Sequence, residues 1–505
     1  MIAIVVFTLD PSRPVVLWTI ALSAWLLLSL GLRLTLVPAT LGLYVVMTAT
    51  LLNVNVADLP PRAQIYGLVA TAICVLPFIL VPLATVDGFP FLHIFCLVQA
   101  VYLYVGFLLG RPDLANILVF PTDMREAGLL AYVGFVTVLV AVGLLCTKRR
   151  KSSNARRWID MLDRTPVTSR VLNRAVALFA FGFAIPKVFE ALGISDRLGT
   201  IPDFLSSLRI AAYAVVVLLW LSGKLTPAQK MVAIGLGMTD MLVGLSTGGV
   251  YNGTPLAFAV LTVLIATQRR ALGLALILAV FFALALNSAK TEYRVESALG
   301  EVRGNPLARG GHLVGLAAEN VFDTSTDTFA ASASRFSYAD LLGYVVQKVP
   351  DEYPYWNKRS YTMLPLAFVP RIINPWKPEY TLANEFGRTY GLISPTDFAS
   401  ATNIPIPVEA YANFGRIGML VAGGITGALL ALAGRRWGRD TLSELIVASV
   451  CATALVAGIE SGVTTWIVVV PLALVLGPVT RWIFAGEDTA VALAGERVAV
   501  PVAAR

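Results

Sequence analysis

Long apolar stretches follow one another along this chain, and they constrain its fold more than any other feature. A lipid bilayer has a hydrocarbon core about 30 Å thick, which a helix of about 20 mostly apolar residues can cross. The stretches predict about thirteen transmembrane helices, with a range of twelve to fourteen because the ninth and tenth are short and adjoin. We place them near residues 14–31, 35–53, 64–86, 90–110, 127–147, 172–192, 206–223, 229–248, 253–268, 270–288, 411–434, 441–460 and 462–483.

The composition agrees with an all-α polytopic membrane protein. Charged residues make up 14% of the chain, whereas soluble proteins carry about 25%. The net charge of +8 lies in short basic clusters beside apolar stretches, as orientation signals do, and this argues against nucleic-acid binding. The four cysteines lie in or beside apolar stretches, so the sequence predicts neither a disulfide framework nor a zinc site.

The basic clusters also predict the orientation of the chain, because Lys and Arg near helix ends remain in the cytoplasm. The strongest cluster runs from Lys148 to Lys151, and three later clusters alternate with it on the same side: Lys224 with Lys230, Arg269 with Arg270, and Arg435 with Arg436. The alternation predicts a multi-pass plasma-membrane protein with four regions. These are a transmembrane helical body at 1–287, a large extracytoplasmic segment at 288–410, C-terminal transmembrane helices at 411–483 and a cytoplasmic tail at 484–505.

The large extracytoplasmic segment should fold on the membrane surface, because it is too long to be a bare connector. It holds 13 acidic and 11 basic residues, and so it lacks the positive charge of the cytoplasmic loops. Ser337 and Asp340 precede an apolar run and predict a capped amphipathic helix that ends before Pro350. Prolines follow, together with Trp356 and Trp376, and favour turn-rich structure whose rings contact lipid headgroups or sugars.

Two cationic motifs in this segment predict an anion site. Lys290 and Arg294 are spaced i, i+4 at the end of the tenth stretch, where they would share one helix face and suit a lipid diphosphate. The alternative is that these side chains only reach the lipid headgroups. Arg371 and Lys377 lie in a loop stiffened by prolines, which would fix the direction of a guanidinium, or would simply form a rigid turn.

Further candidates flank these motifs. Arg335 precedes the predicted amphipathic helix and is either a third phosphate ligand or an exposed surface charge. Glu409, followed by Tyr411 and Asn413, lies at the outer entrance of the eleventh stretch, where a carboxylate could act as general base on a sugar hydroxyl. The alternative is a carboxylate that complements a helix N-terminus, with Gly415 and Gly418 allowing close helix packing.

Charged residues within apolar stretches are costly to bury and are functional hypotheses by default. Lys187, Glu190 and Asp240 belong to this class, although Lys187 and Glu190 at i, i+3 could simply pair. His93 lies within an apolar stretch, and we expect it to be a packed structural residue. His312 follows two glycines, and we expect it to lie alone in a loop. The sequence has no nucleotide-binding loop and no clustered metal ligands, so it predicts neither a cofactor nor a metal.

The order of these motifs resembles that of the Wzy-type repeat-unit polymerases of O-antigen and exopolysaccharide synthesis. The resemblance covers residues 285–430, whereas the first 270 residues match only as a helix-rich membrane body. It rests on Lys-x-x-x-Arg at the end of a span, an isolated Arg before an amphipathic helix, Val369-Pro370-Arg371 leading to Pro375-Trp376-Lys377-Pro378, and Glu409-x-Tyr411-x-Asn413-Phe414-Gly415.

The resemblance implies a metal-independent membrane glycosyltransferase, similar in architecture to O-antigen ligases and the shape-and-division peptidoglycan polymerases. It would polymerise oligosaccharide repeat units carried on undecaprenyl diphosphate, on the extracytoplasmic face. The implied partners are the lipid-linked donor and acceptor, membrane lipid, a chain-length regulator and a flippase. The expected diphosphate ligands are Arg294, Arg335, Arg371, Lys290 and Lys377, the expected base is Glu409, and the expected sugar or lipid contacts are Tyr293, Trp356, Trp376, Tyr411 and Asn413.

Two other functions remain open at this stage. An O-antigen ligase would transfer a finished glycan once, but such enzymes carry a loop histidine with their arginines, and His312 is far in sequence from Arg371 and Glu409. A transporter or flippase for lipid-linked oligosaccharide would use the charged residues in the spans. Against the transporter stands the single long extracytoplasmic segment, and no inverted repeat is visible in the pattern of spans.

Overall fold

The described part of the chain is built from helices. The computed structural model describes residues 61–81, 86–108, 122–148, 169–194, 201–246, 255–267, 338–362, 382–398, 402–437, 441–457 and 464–485, most of 285–322, and isolated positions such as Gly462. Within these residues the labelled helices are α1 (Pro61–Leu80), α2 (Phe91–Leu108), α3 (Thr122–Cys146), α4 (Ser169–Ala191), α5 (Ile201–Leu221), α6 (Pro227–Leu245), α7 (Pro255–Thr267), α8 (Pro306–Phe322), α9 (Tyr338–Lys348), α10 (Arg359–Thr362), α11 (Leu382–Thr389), α12 (Ile406–Arg436), α13 (Leu442–Ala457) and α14 (Thr464–Ile483).

Apolar helices of membrane-spanning length confirm that this is a helical membrane protein. Four described helices are long and apolar enough to cross a bilayer: Met124–Cys146, Arg170–Ala191, Phe204–Leu221 and Ile406–Arg436. Shorter apolar helices cover Ile65–Leu80, Phe91–Ala100, Leu442–Val456 and Ala473–Ile483. The predicted spans 14–31 and 35–53, and most of 270–288, lie outside the described residues, so the count of thirteen stays a prediction.

Helices α3 and α12 lie side by side, and glycines bring their backbones into contact. A Cβ atom added at Gly427 would lie 2.1 Å from the carbonyl oxygen of Leu139. One added at Gly423 would lie 2.8 Å from the carbonyl oxygen of Phe135. Small residues four positions apart are typical of such close packing between membrane helices.

Some described loops can be assigned to the two ends of the bundle. At one end the Asp87 amide donates to the Lys148 carbonyl oxygen and the Phe89 amide to that of Gly434, both at 3.0 Å. At the other end Arg62 approaches Glu126 at 3.9 Å. The sequence assigns the first set of loops to the cytoplasm and the second to the outside, and which end faces the cytoplasm stays a prediction.

The predicted amphipathic helix is present as α9, and it crosses the outer end of α3. A Cβ atom added at Gly343 would lie 1.7 Å from the carbonyl oxygen of Met124, so the two helix backbones touch. Asp340 was expected to belong to the helix cap, but its carboxylate instead accepts two hydrogen bonds from Arg125, from Nε at 2.5 Å and from Nη2 at 2.7 Å. Both side chains are buried, and the pair fixes α9, with the predicted extracytoplasmic segment that it begins, to the bundle.

Aromatic side chains form the core of the extracytoplasmic segment. The Trp356 ring lies 5.3 Å from that of Phe386, which lies 4.6 Å from that of Tyr390. The Tyr344 hydroxyl donates to the Tyr390 carbonyl oxygen at 2.7 Å and joins α9 to this core. Trp356, expected to contact sugar or lipid, is therefore buried. The expected turn-rich structure holds for residues 350–358, whereas α10 and α11 are helical.

We expect loss of the buried ion pair to destabilise the protein. Asp340→Asn would leave the Arg125 guanidinium buried without its carboxylate, and removing one partner of a buried pair costs about 3–5 kcal/mol of the free energy of unfolding. Thermal unfolding of the purified protein in detergent measures the loss. Lys187→Ala is the matched control, because the pair of Lys187 with Glu190 is exposed and exposed pairs contribute about 0–1 kcal/mol. Equally small losses in both variants would contradict the proposed role of the buried pair.

The orientation predicts where cysteine reagents react. Lys358 and Lys148 are both exposed and lie at opposite ends of the bundle. In a background without the four native cysteines, Lys358→Cys should react with a membrane-impermeant maleimide in intact cells, and Lys148→Cys only after the membrane is opened. The reverse pattern would show that the chain is inserted the other way.

Candidate functional site

Helix α12 is interrupted at Gly415, near the predicted outer boundary of the membrane. The backbone of this residue has φ 68° and ψ −160°, which separates a first part, residues 406–414, from a second part, residues 416–436. A residue with a side chain rarely adopts a positive φ, and a Cβ atom at this position would lie 3.0 Å from the Tyr355 hydroxyl. The sequence interpretation of Gly415 as a packing glycine is therefore incomplete, because the residue breaks the helix.

A turn of the extracytoplasmic segment, residues 355–361, covers the first part of α12, and we call it the covering turn. The Trp356 amide donates to the Ala412 carbonyl oxygen at 2.8 Å. The Asn413 side-chain amide donates to the Ser360 hydroxyl at 3.0 Å and to the Glu409 carbonyl oxygen at 2.9 Å. These contacts attach the covering turn to one face of the helix that carries the predicted Glu-x-Tyr-x-Asn motif.

Glu409, the predicted general base, lies under the covering turn and is only 3% exposed. The Gly462 backbone approaches it so closely that a Cβ atom there would lie 2.1 Å from Oε2. Burial raises the pKa of Tyr361 in the covering turn, and the negative charge of Glu409 raises it further. Because α12 begins at Ile406, Glu409 lies in its first turn, where the carboxylate complements the helix N-terminus as the alternative interpretation expected.

The other two residues of the motif are also buried. The Tyr411 hydroxyl donates to the Val346 carbonyl oxygen at 3.3 Å, which joins α12 to α9. The side-chain oxygen of Asn413 is buried and accepts no hydrogen bond from the residues that the structure describes. Buried polar atoms are normally paired, so this oxygen is an exception among the described residues.

The predicted motif around Arg294 belongs to a different part of the molecule. Tyr293 packs in a second apolar cluster, whose other buried members are Leu245, Ala285, Leu286, Ala289, Leu313, Leu316 and Ala317. Its hydroxyl donates to the Ser246 carbonyl oxygen at 2.7 Å and its ring is buried, and the expected sugar or lipid contact stays a prediction. Arg294 is exposed and Lys290 half-buried, with residues 292–297 helical.

Four predicted site residues, Arg335, Arg371, Trp376 and Lys377, lie outside the described residues. The structure therefore brings Glu409, Tyr411 and Asn413 together and leaves the predicted diphosphate ligands of the central loops as predictions. It adds Ser360 and Tyr361, which the sequence interpretation missed. These residues follow Trp356 and nearby prolines, and their sequence shows no helical periodicity. Nothing in that sequence therefore indicated that they would contact α12.

The charged residues within the spans have local partners. Lys187 contacts Glu190 at 2.6 Å on an exposed surface, which confirms the expected pair. Asp240 is buried and accepts from Arg209 at 2.5 Å and from the Tyr213 hydroxyl at 2.7 Å. These contacts explain why carboxylates are tolerated there.

Neither histidine contributes to the site around Glu409. His93 is buried, with Nε2 within 2.7 Å of the Val81 carbonyl oxygen, which confirms the expected packing role. His312 was expected in a loop, but it lies in α8, where Nε2 is 2.6 Å from a Glu296 carboxylate oxygen. In the described part of the chain no three His, Cys, Asp or Glu side chains lie together as metal ligands would.

Comparisons of the chain with protein-family models, with curated proteins and with solved structures found no match. The resemblance to repeat-unit polymerases stays a prediction from the motifs, and function is inferred from the residues and their geometry.

The helix break predicts that Gly415 tolerates no side chain. Gly415→Ala should lower the free energy of unfolding by about 1–3 kcal/mol, because a positive φ combined with ψ near 180° is a conformation that essentially only glycine adopts, and it should displace Tyr355. The matched control is Gly424→Ala in the same helix, where an added Cβ would meet only Val138 and Val142 at ordinary contact distances. Thermal unfolding compares the two variants, and an equal melting temperature would show that the break is not required.

Proposed function

We propose that this protein is a membrane glycosyltransferase that polymerises oligosaccharide repeat units carried on a lipid diphosphate. The observation that carries the proposal is the broken helix α12 with the covering turn attached to it at the predicted membrane boundary. A lipid-linked sugar presents its reacting carbon at that depth, next to the headgroups. A transferase therefore needs an ordered extracytoplasmic segment attached to a membrane helix, and the described residues 338–362 and 402–414 have this arrangement.

The chemistry requires a base for the attacking hydroxyl and positive charge for the departing diphosphate. Glu409 supplies the carboxylate, and the free acceptor oxygen of Asn413 lies one helical turn further along the same helix. Displacement of the covering turn by the acceptor would expose Glu409. Arg371, Arg335 and Lys377 are proposed to bind the diphosphate, since an arginine can hold two phosphate oxygens at once. Arg294 and Lys290, whose segment packs in the second apolar cluster, would take part only if that cluster meets the same substrate.

Two alternatives have less support from the described residues. The transporter hypothesis depends on charged residues within the spans, and Lys187 and Asp240 are each paired with a neighbouring side chain. The ligase hypothesis depends on a catalytic loop histidine, whereas His312 lies in a helix and contacts Glu296. Both interpretations predict products that differ from those of a polymerase.

We expect purified protein in liposomes to convert lipid-linked repeat units into a ladder of longer glycans. Glu409→Gln should lower the rate roughly a hundredfold or more, since positioned general bases contribute about 10²–10⁴. Glu319→Gln, on the exposed side of α8, is the matched control and should retain activity. Thermal unfolding confirms that both variants are folded.

The products separate the alternatives. A single transfer without a ladder would identify a ligase, and no transfer together with movement of the lipid-linked glycan across the bilayer would identify a transporter. Wild-type activity in a folded Glu409→Gln variant would exclude Glu409 as the base.

A further inference from the structure

Arg416 is an exposed cation that follows directly on the break in α12. Its guanidinium lies beside the Tyr411 hydroxyl, which itself donates to α9. Among the described residues no carboxylate lies within ion-pair distance of Arg416. The negative charge of Asp351 acts on the neighbouring Tyr411 hydroxyl. Arg416 is therefore held at the outer end of the second part of α12 with donors available to an anion.

An exposed apolar stripe begins next to Arg416 and runs the length of the second part of α12. The stripe consists of Ile417, Val421, Ile425, Leu429 and Leu432, which are 40–77% exposed. The residues follow one another at intervals of three and four, so they form one narrow row on the helix surface. From Ile417 to Leu432 the row is about 22 Å long at 1.5 Å per residue, which suits one extended hydrocarbon chain.

Aromatic side chains surround the outer end of the stripe. Phe414 is 41% exposed, and its ring lies 5.1 Å from that of Tyr361 in the covering turn. The Tyr355 hydroxyl lies over Gly415. Aromatic rings at this depth suit the junction between an apolar chain and a polar headgroup.

Helices α1 and α4 also carry a cation beside an exposed apolar face, near the predicted outer end of the helix. In both helices a carboxylate lies close to that cation. Arg62 begins α1, whose exposed apolar residues include Ile65 and Val69, and it approaches Glu126 at 3.9 Å. On α4, Lys187 is bound to Glu190 at 2.6 Å. In the described part of the chain, Arg416 thus differs from both by lacking such a partner.

We propose that the second part of α12 binds the donor lipid, with the single hydrocarbon chain along the stripe and the diphosphate on Arg416. This inference rests on the proposed function and adds a ligand site that the sequence motifs did not indicate. The guanidinium would bind two phosphate oxygens. The reacting sugar would then lie beside the covering turn, next to Asn413 and above Glu409.

Photolabelling tests this site without any turnover. The probe is a long isoprenyl diphosphate that carries a diazirine on its chain, presented to the protein in phosphatidylcholine liposomes. We expect the label on Val421 and Ile425, and a loss of roughly tenfold or more in Arg416→Ala, because that variant removes charge-assisted hydrogen bonds to the diphosphate. Arg416→Lys keeps the charge but not the bidentate geometry, so it should retain intermediate labelling.

The matched control is Arg62→Ala, an exposed arginine above another apolar face, which should leave the labelling of α12 unchanged. Unchanged labelling in a folded Arg416→Ala variant, or equal labelling of Ile65 and Val69, would overturn the site. A diazirine phosphatidylglycerol that labels the same residues with the same dependence on Arg416 would also overturn it, since the site would then bind ordinary anionic phospholipid.

The two proposals fail in different ways. Labelling that depends on Arg416 in a protein that makes no ladder supports the lipid site and contradicts the polymerase function. A normal ladder from Arg416→Ala, with labelling unchanged, supports the polymerase function and contradicts the lipid site.

Discussion

The buried pair of Arg125 and Asp340 is the interaction on which the arrangement of the extracytoplasmic segment depends. Helix α9 crosses α3 with backbones in contact, and the pair fixes where along α3 this crossing occurs. The aromatic core packs on α9, and the covering turn leads from that core to α12. A charge pair out of water contributes little net stability, but it strongly disfavours any arrangement that separates the two charges. The pair therefore specifies one position of the segment over the membrane helices.

Helix α12 connects the other features of the molecule. Its second part packs against α3 through Gly423 and Gly427, with one face left for lipid. Its first part carries Glu409 and Asn413 under the covering turn. The break at Gly415 changes the direction of the helix, so the two parts turn different faces to their surroundings. One chain segment therefore carries both a membrane helix and the candidate site. Small residues permit the contact with α3, and a positive φ permits the break.

The length of the apolar runs predicted the membrane helices, because a helix must be apolar over about 20 residues to cross a bilayer. The expected spans 127–147 and 411–434 correspond to α3 and α12, and the predicted amphipathic helix is α9. Contacts between distant parts of the chain could not be predicted this way. Arg125 and Asp340 are 215 positions apart, and each one alone looks like an ordinary charge at a helix start. The site was predicted in part, since Glu409, Tyr411 and Asn413 share one motif, whereas Ser360 and Tyr361 join it only through the fold.

Under the proposed function, the burial of Glu409 has a consequence for the fate of an activated donor. A sugar on a lipid diphosphate can be lost to water as readily as it can be joined to another sugar, and water is always present at high concentration outside the membrane. A carboxylate that is 3% exposed and lies under Tyr361 deprotonates no passing water molecule. Only an acceptor large enough to displace the covering turn would gain access to the base. In this arrangement burial would protect the donor from hydrolysis and restrict transfer to bulky glycan acceptors.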